Sequence, residues 1–121
     1  MNVFVAARGN EFMADIAAWI AEAAVLAGRE SHVVRDGLPE ADGCANLVVA
    51  PHEFFELHSA PRRQMQLAAA ASVCICTEQP GTRWFDLTVD AARMGLVAFD
   101  INAHGVRALR QRGINAHRLQ L

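Results

Sequence analysis

Lysine and tyrosine are missing from the 121-residue chain, and all eleven basic residues are Arg. Without Lys there is no Schiff-base nucleophile and no P-loop. Cysteine is sparse. Cys44, Cys74 and Cys76 are an odd set with no CxxC pair, which excludes a disulfide framework and a tetrahedral zinc site. None of His32, His58, His104 and His117 forms a metal-binding spacing such as H-E-x-x-H with another His, so no metal is expected. No apolar run reaches bilayer length: Met13 to Leu26 comes nearest, and Asp15 and Glu22 interrupt it. The opening Met-Asn-Val-Phe-Val has no basic region ahead of it and reads as a strand, so no signal peptide is expected and the cytoplasm is the default location. A net charge of -2 gives no electrostatic reason to expect nucleic acid, which wants a basic face.

What the chain has in quantity is apolar residues, 53% of the total, enough for one core in one domain spanning residues 1–121. Short β-rich runs alternate with helical periods. Asn2 to Ala7 reads as a strand. Asn10 then caps a helix whose face is Phe12, Ile16, Trp19, Ile20 and Ala23, closed by Gly28. Ser31 to Arg35 is a second strand and Asp36 to Gly43 a turn-rich loop. Ala45 to Ala50 is a third strand, apolar enough to be buried on both faces. Helical stretches follow at Pro51 to Leu57 and Pro61 to Ala71, then a strand at Ser72 to Thr77. A helix at Trp84 to Met94, a strand at Leu96 to Phe99, a helix to about Arg112 and a strand from Ala116 to Leu119 complete the pattern. This alternation predicts an α/β fold, a Rossmann-like three-layer α/β/α sandwich with a mostly parallel sheet of about six strands. The link from Asp36 to Cys44 is too short for a crossover helix. Either one strand runs antiparallel there or the crossover is irregular.

In open parallel sheets, ligands sit beyond the carboxyl ends of the strands. That rule selects four loops. The first, Ala7-Arg8-Gly9-Asn10, places a Gly before a helix start, where backbone N–H groups suit an anion or a sugar; the alternative is a plain turn. The second holds His52 beside Glu53, a pair suited to general-base work or to binding a sugar hydroxyl, or simply the first turn of a helix. The third, Glu78-Gln79-Pro80-Gly81-Thr82, follows a buried strand. Its polar side chains suit sugar or ribose hydroxyls, while Thr82 also suits a helix cap. Trp84 and Phe85 come next and are read as core anchors ahead of a sugar-stacking platform. Asp100 ends a strand, as a helix cap or as an acceptor for a substrate hydroxyl. Cys74 and Cys76 alternate on one strand face as small core residues.

The run Asn46-Leu47-Val48-Val49-Ala50-Pro51-His52-Glu53-Phe54-Phe55 resembles a segment of bacterial glycosyltransferases. Cys74-Ile75-Cys76-Thr77-Glu78-Gln79-Pro80-Gly81-Thr82-Arg83-Trp84-Phe85 resembles another. The resemblance runs from about Leu47 onward and implies the GT-B architecture, two Rossmann-like domains facing each other across a cleft. It implies that this chain is the N-terminal, acceptor-side half, with the second domain absent. It would be inactive alone, and able to dimerise through its open cleft face. The partners implied are a sugar acceptor and a nucleotide-sugar donor, the latter held mainly by the second domain, with no further cofactor. Substrate-binding candidates are Arg8, Gly9, Asn10, His52, Glu53, Glu78, Gln79, Gly81, Thr82 and Asp100, and the catalytic candidates are His52 and Glu78. The competing reading is a stand-alone flavodoxin- or receiver-like module that binds a ligand or a partner. It would have no phosphotransfer chemistry, because the receiver acidic pair, phosphoacceptor Asp and Lys are missing.

Overall fold

Asn10 opens the first helix by accepting the Phe12 N–H on its side-chain oxygen at 2.9 Å, and the chain before it has already made a strand. The computed structural model describes all 121 residues. The elements run β1 (Asn2–Phe4), α1 (Glu11–Leu26), β2 (His32–Val34), β3 (Asn46–Val49), α2 (Pro51–Leu57), α3 (Arg62–Ala70), β4 (Val73–Cys76), α4 (Arg83–Met94), β5 (Val97–Asp100), α5 (Ala103–Gln111) and β6 (Ala116–Arg118). The strands form one sheet in the order β2-β1-β3-β4-β5-β6, and every pairing is parallel. The chain therefore makes a six-stranded α/β sandwich of Rossmann-like form.

No strand runs antiparallel. The short link after β2 crosses β1 without a helix: it is a loop in which Asn46 ties back to the Glu40 carbonyl through its side-chain amide at 2.7 Å. An irregular crossover thus resolves the alternative left open by the sequence.

Two apolar layers flank the sheet. On one face Cys74, Cys76, Ala98 and Ala116 pack against Phe85, Val89 and Ala92 of α4 and Val106 and Leu109 of α5. On the other, Val3, Val5, Val49 and Ile75 pack against Met13, Ile16, Ala17 and Ala21 of α1. The two-residue period of β4 sends its Cys pair one way and Ile75 the other. The face of α1 differs from the expected one. Phe12 and Trp19 are half exposed and meet edge to face, with centroids 6.3 Å apart, on the flank of the helix. The sheet is covered by the narrower and smaller stripe at Met13, Ile16, Ala17 and Ala21, because Ala lets the helix approach the strands closely.

Three connections leave the carboxyl edge beside the point where strand order reverses, between β1 and β3. At the β3–α2 junction Ala50 takes a left-handed backbone (φ 51°), the only non-glycine residue to do so. Pro51 disfavours the right-handed helical region at the residue before it. The sharp turn is held by the Ala50 N–H on the Ile75 carbonyl and by the Glu53 and Phe54 N–H groups on the Ala50 carbonyl, each at 2.9 Å. It drops His52 into the first turn of α2, over the end of β4.

Candidate functional site

His52 is almost fully buried, and both of its ring nitrogens have partners. Nε2 stands 3.2 Å from Glu78 Oε1 at the end of β4, and Nδ1 stands 3.3 Å from the hydroxyl of Thr88 in α4. Burial pushes the imidazole below its ordinary pKa, against the opposing pull of the Glu78 and Glu53 carboxylates. In the neutral ring, one nitrogen donates and one accepts. The Glu78 carboxylate beside Nε2 favours the proton on that nitrogen, which leaves Nδ1 to accept from the Thr88 hydroxyl. Thr88 has no exposed surface. It lies on the inward stripe Phe85, Thr88, Val89, Ala92 of α4, so helix packing fixes the hydroxyl that meets Nδ1.

Glu78 meets His52 through one oxygen. No other protein group bonds its carboxylate, and about a quarter of the side chain (23%) remains exposed. It opens into a cleft of about 440 Å³ whose walls include Asn10, Met13, His52, Glu53 and Trp84. Trp84 is not a core anchor. Phe85 is fully enclosed, whereas Trp84, one residue back and about 100° round the helix, is half exposed. Its ring centroid lies 6.2 Å from that of His52, with the Arg83 guanidinium 5.9 Å from the indole centroid. The sequence signal for this was the position of Trp84 outside the 85–88–89–92 stripe.

Glu53 plays a part not foreseen from its neighbour His52. Its Oε1 accepts the Asn10 N–H at 3.0 Å, so a carboxylate from α2 sits at the amino end of α1. A Cβ on Gly9 would fall inside that carboxylate. Glu53 therefore fills the anion position that Gly9 and Asn10 create, and the absence of a side chain at Gly9 makes room for it.

The remaining candidates lie elsewhere. Gln79 and Gly81 are exposed in the loop after β4 and do not line the cleft. Thr82 caps α4, accepting the Phe85 N–H at 3.1 Å and donating to the Gln79 carbonyl at 3.1 Å. Asp100 is completely enclosed. Its Oδ1 accepts the Asn102 N–H at 2.7 Å and its Oδ2 has no partner, pressed against Gly105 at the start of α5. Burial, with a further push from Glu78 against that hydrogen bond, raises its pKa to about 6. Arg8 lies in a neighbouring cleft, described below. Cys74 and Cys76 are buried thiols, Cys74 pushed up to about 12 by burial and Cys76 well above its ordinary value. No group of three or more His, Cys, Asp or Glu is placed to hold a metal ion. No helix is long and apolar enough to cross a membrane.

Compared with protein-family models, with curated proteins and with solved structures, the chain finds no significant match.

Proposed function

We propose that this chain is the acceptor-side domain of a glycosyltransferase, binding a hydroxyl-rich sugar at the carboxyl ends of β1, β3 and β4. The observation that carries the reading is the pairing of Glu78 with Trp84. A carboxylate that meets His52 through one oxygen keeps the other free to accept hydroxyl hydrogen bonds. A half-exposed indole beside it offers an apolar face to the C–H side of a pyranose. In a transfer reaction Glu78 would receive the proton of the acceptor hydroxyl. His52, with both nitrogens engaged, positions Glu78 and does not itself take the proton. The sequence resemblance from Leu47 to Phe85 supplies the rest of the reading, a donor sugar brought by a second domain across the cleft.

The strand order favours a second reading. The order β2-β1-β3-β4-β5 is that of flavodoxin-like modules, which bind ligands at the same edge without a second domain. Both readings put a ligand in the same cleft, and the ligand's chemistry separates them. Titrating the protein with methyl glucoside, mannoside and galactoside tests the first. At least one should bind, and its affinity should fall about tenfold in Trp84→Ala and in Glu78→Gln, in line with the loss of one charge-assisted hydrogen bond or one stacking surface. Gln is used because it keeps the size and shape of the side chain beside His52 and removes only its charge. Equal affinity in wild type and both variants would remove the sugar reading.

A further inference from the structure

A second cleft, of about 480 Å³, opens at the same sheet edge on the other side of α2, between the ends of β1 and β2. The two strands are paired in register, Phe4 opposite Val34, and the Val5 N–H continues the ladder onto the Val34 carbonyl at 3.1 Å. The chains therefore leave the edge side by side, carrying Arg8 from one loop and Arg35 from the other into one cavity. Neither guanidinium has a protein partner: the ion pairs of the molecule are His32 with Glu30, His52 with Glu78 and Arg112 with Asp86. His58, at the end of α2, lines the same cavity. Its Nδ1 accepts the Ala60 N–H at 3.2 Å, which puts the proton of the neutral ring on Nε2 and makes that atom a donor. The one acid in the lining is Asp36.

We propose that this cleft is a binding site for a phosphate group, gripped by Arg8 and Arg35 with His58 as a third donor. Two guanidinium forks and an imidazole N–H match the three terminal oxygens of a phosphoryl group, each fork able to bind two of them. Asp36 offsets one of the two positive charges, and the remaining charge attracts a phosphate dianion about twice as strongly as a singly charged carboxylate. Leu57 is shared by this cavity and the Glu78–Trp84 cleft and is itself exposed, so the two adjoin along one edge. The phosphate is either free or a monoester on a molecule that reaches across Leu57. The site does not depend on whether its neighbour takes a sugar.

The test is an NMR titration of the full chain, followed on the Arg Nε–H and backbone amide signals. The probes are inorganic phosphate, glucose 6-phosphate and methyl glucoside. Inorganic phosphate should move the Arg8, Arg35 and Gly37 signals saturably. In Arg8→Ala/Arg35→Ala its affinity should fall by at least about tenfold, as expected for lost hydrogen bonds to a charged group. Arg107→Ala, which removes a charge on the exposed face of α5, should leave the affinity unchanged. Tighter binding of glucose 6-phosphate than of both phosphate and methyl glucoside identifies a monoester spanning the two clefts. Equal binding of phosphate and glucose 6-phosphate identifies the free ion. No saturable shift at Arg8 and Arg35, or the same loss in Arg107→Ala as in the double variant, would overturn the site. Methyl glucoside is read separately at Trp84, so failure of the phosphate site and failure of the sugar reading show as different silent signals.

Discussion

The Glu53 carboxylate occupies the space that a side chain at Gly9 would need, and accepts the Asn10 N–H at the amino end of α1. A helix terminus from one side of the reversal in strand order is thus tied to a side chain from the other. Two segments 43 residues apart in sequence are joined at the point where open sheets take their ligands.

That relationship predicts a coupling. Gly9→Ala should destabilise the fold by about 1–3 kcal/mol, the range for forcing a group into occupied space. Most of that loss should disappear when Glu53 is also changed to Ala. A denaturant double-mutant cycle measures it, and additive losses from the two changes would show that they do not share the space.

Thr88 supplies the hydrogen bond at His52 Nδ1. Thr88→Val removes the hydroxyl with little change in shape and leaves Nδ1 enclosed without a donor, at a cost of about 1–3 kcal/mol. Thr88→Ser should restore most of the stability. The readout specific to the tautomer is the long-range coupling pattern of the His52 ring. It should report Nε2–H in wild type and in both variants, because the Glu78 carboxylate remains beside Nε2, and an Nδ1–H signal in Thr88→Val would show that the hydroxyl and not Glu78 holds the tautomer.

The two perturbed groups of this edge pull stability in opposite directions with pH. His52 has a folded-state pKa below its ordinary 6.5, so the unfolded chain binds the proton more readily. Its contribution is complete above 6.5 and is lost as pH falls below that value. Asp100 is raised from 3.8 to about 6, so the folded chain binds the proton more readily, and stability falls as pH rises from 3.8 to 6. Asp100→Asn should therefore remove the acid-side gain. Its melting temperature should drop more steeply than that of wild type between pH 6 and pH 4. Parallel pH profiles for the two proteins would mean that Asp100 titrates as it does in the unfolded chain.

The thiols should divide by burial. Cys44 is exposed, while Cys74 and Cys76 are enclosed between the sheet and α4 with their pKa values raised. A thiol reagent at neutral pH should modify Cys44 alone in the native protein and all three in denaturant. Rapid native modification of Cys74 would show that the layer between β4 and α4 opens.

Periodicity made the sheet legible because β3 and β4 are apolar on both faces, and Pro51, Gly81 and Gly95 punctuate the helices. The placing of the loops that carry Asn10, His52, Glu53 and Glu78 on one edge was legible because parallel topology puts every strand's carboxyl end there. What no single-segment pattern carries is contact across the fold. Thr88 reads as one more small residue on a helix stripe until α4 brings it over His52, 36 residues away in sequence. Glu53 reads as a first-turn acid of its own helix, yet it serves another. The facing of Arg8 and Arg35 depends on the parallel pairing of β1 with β2, which neither segment carries alone. Trp84 and Phe85 are both large aromatics, and the phase of α4 separates them.

The account rests on the cleft between Glu78 and Trp84, and the protein carries its own control for it. There are two tryptophans, each with an indole N–H signal: Trp84 lines the cleft, and Trp19 sits on the outer flank of α1. In a titration with methyl glycosides, the account predicts a saturable shift of the Trp84 indole signal while that of Trp19 stays in place. Both signals moving together, or neither moving at any of the sugars tried, would contradict it.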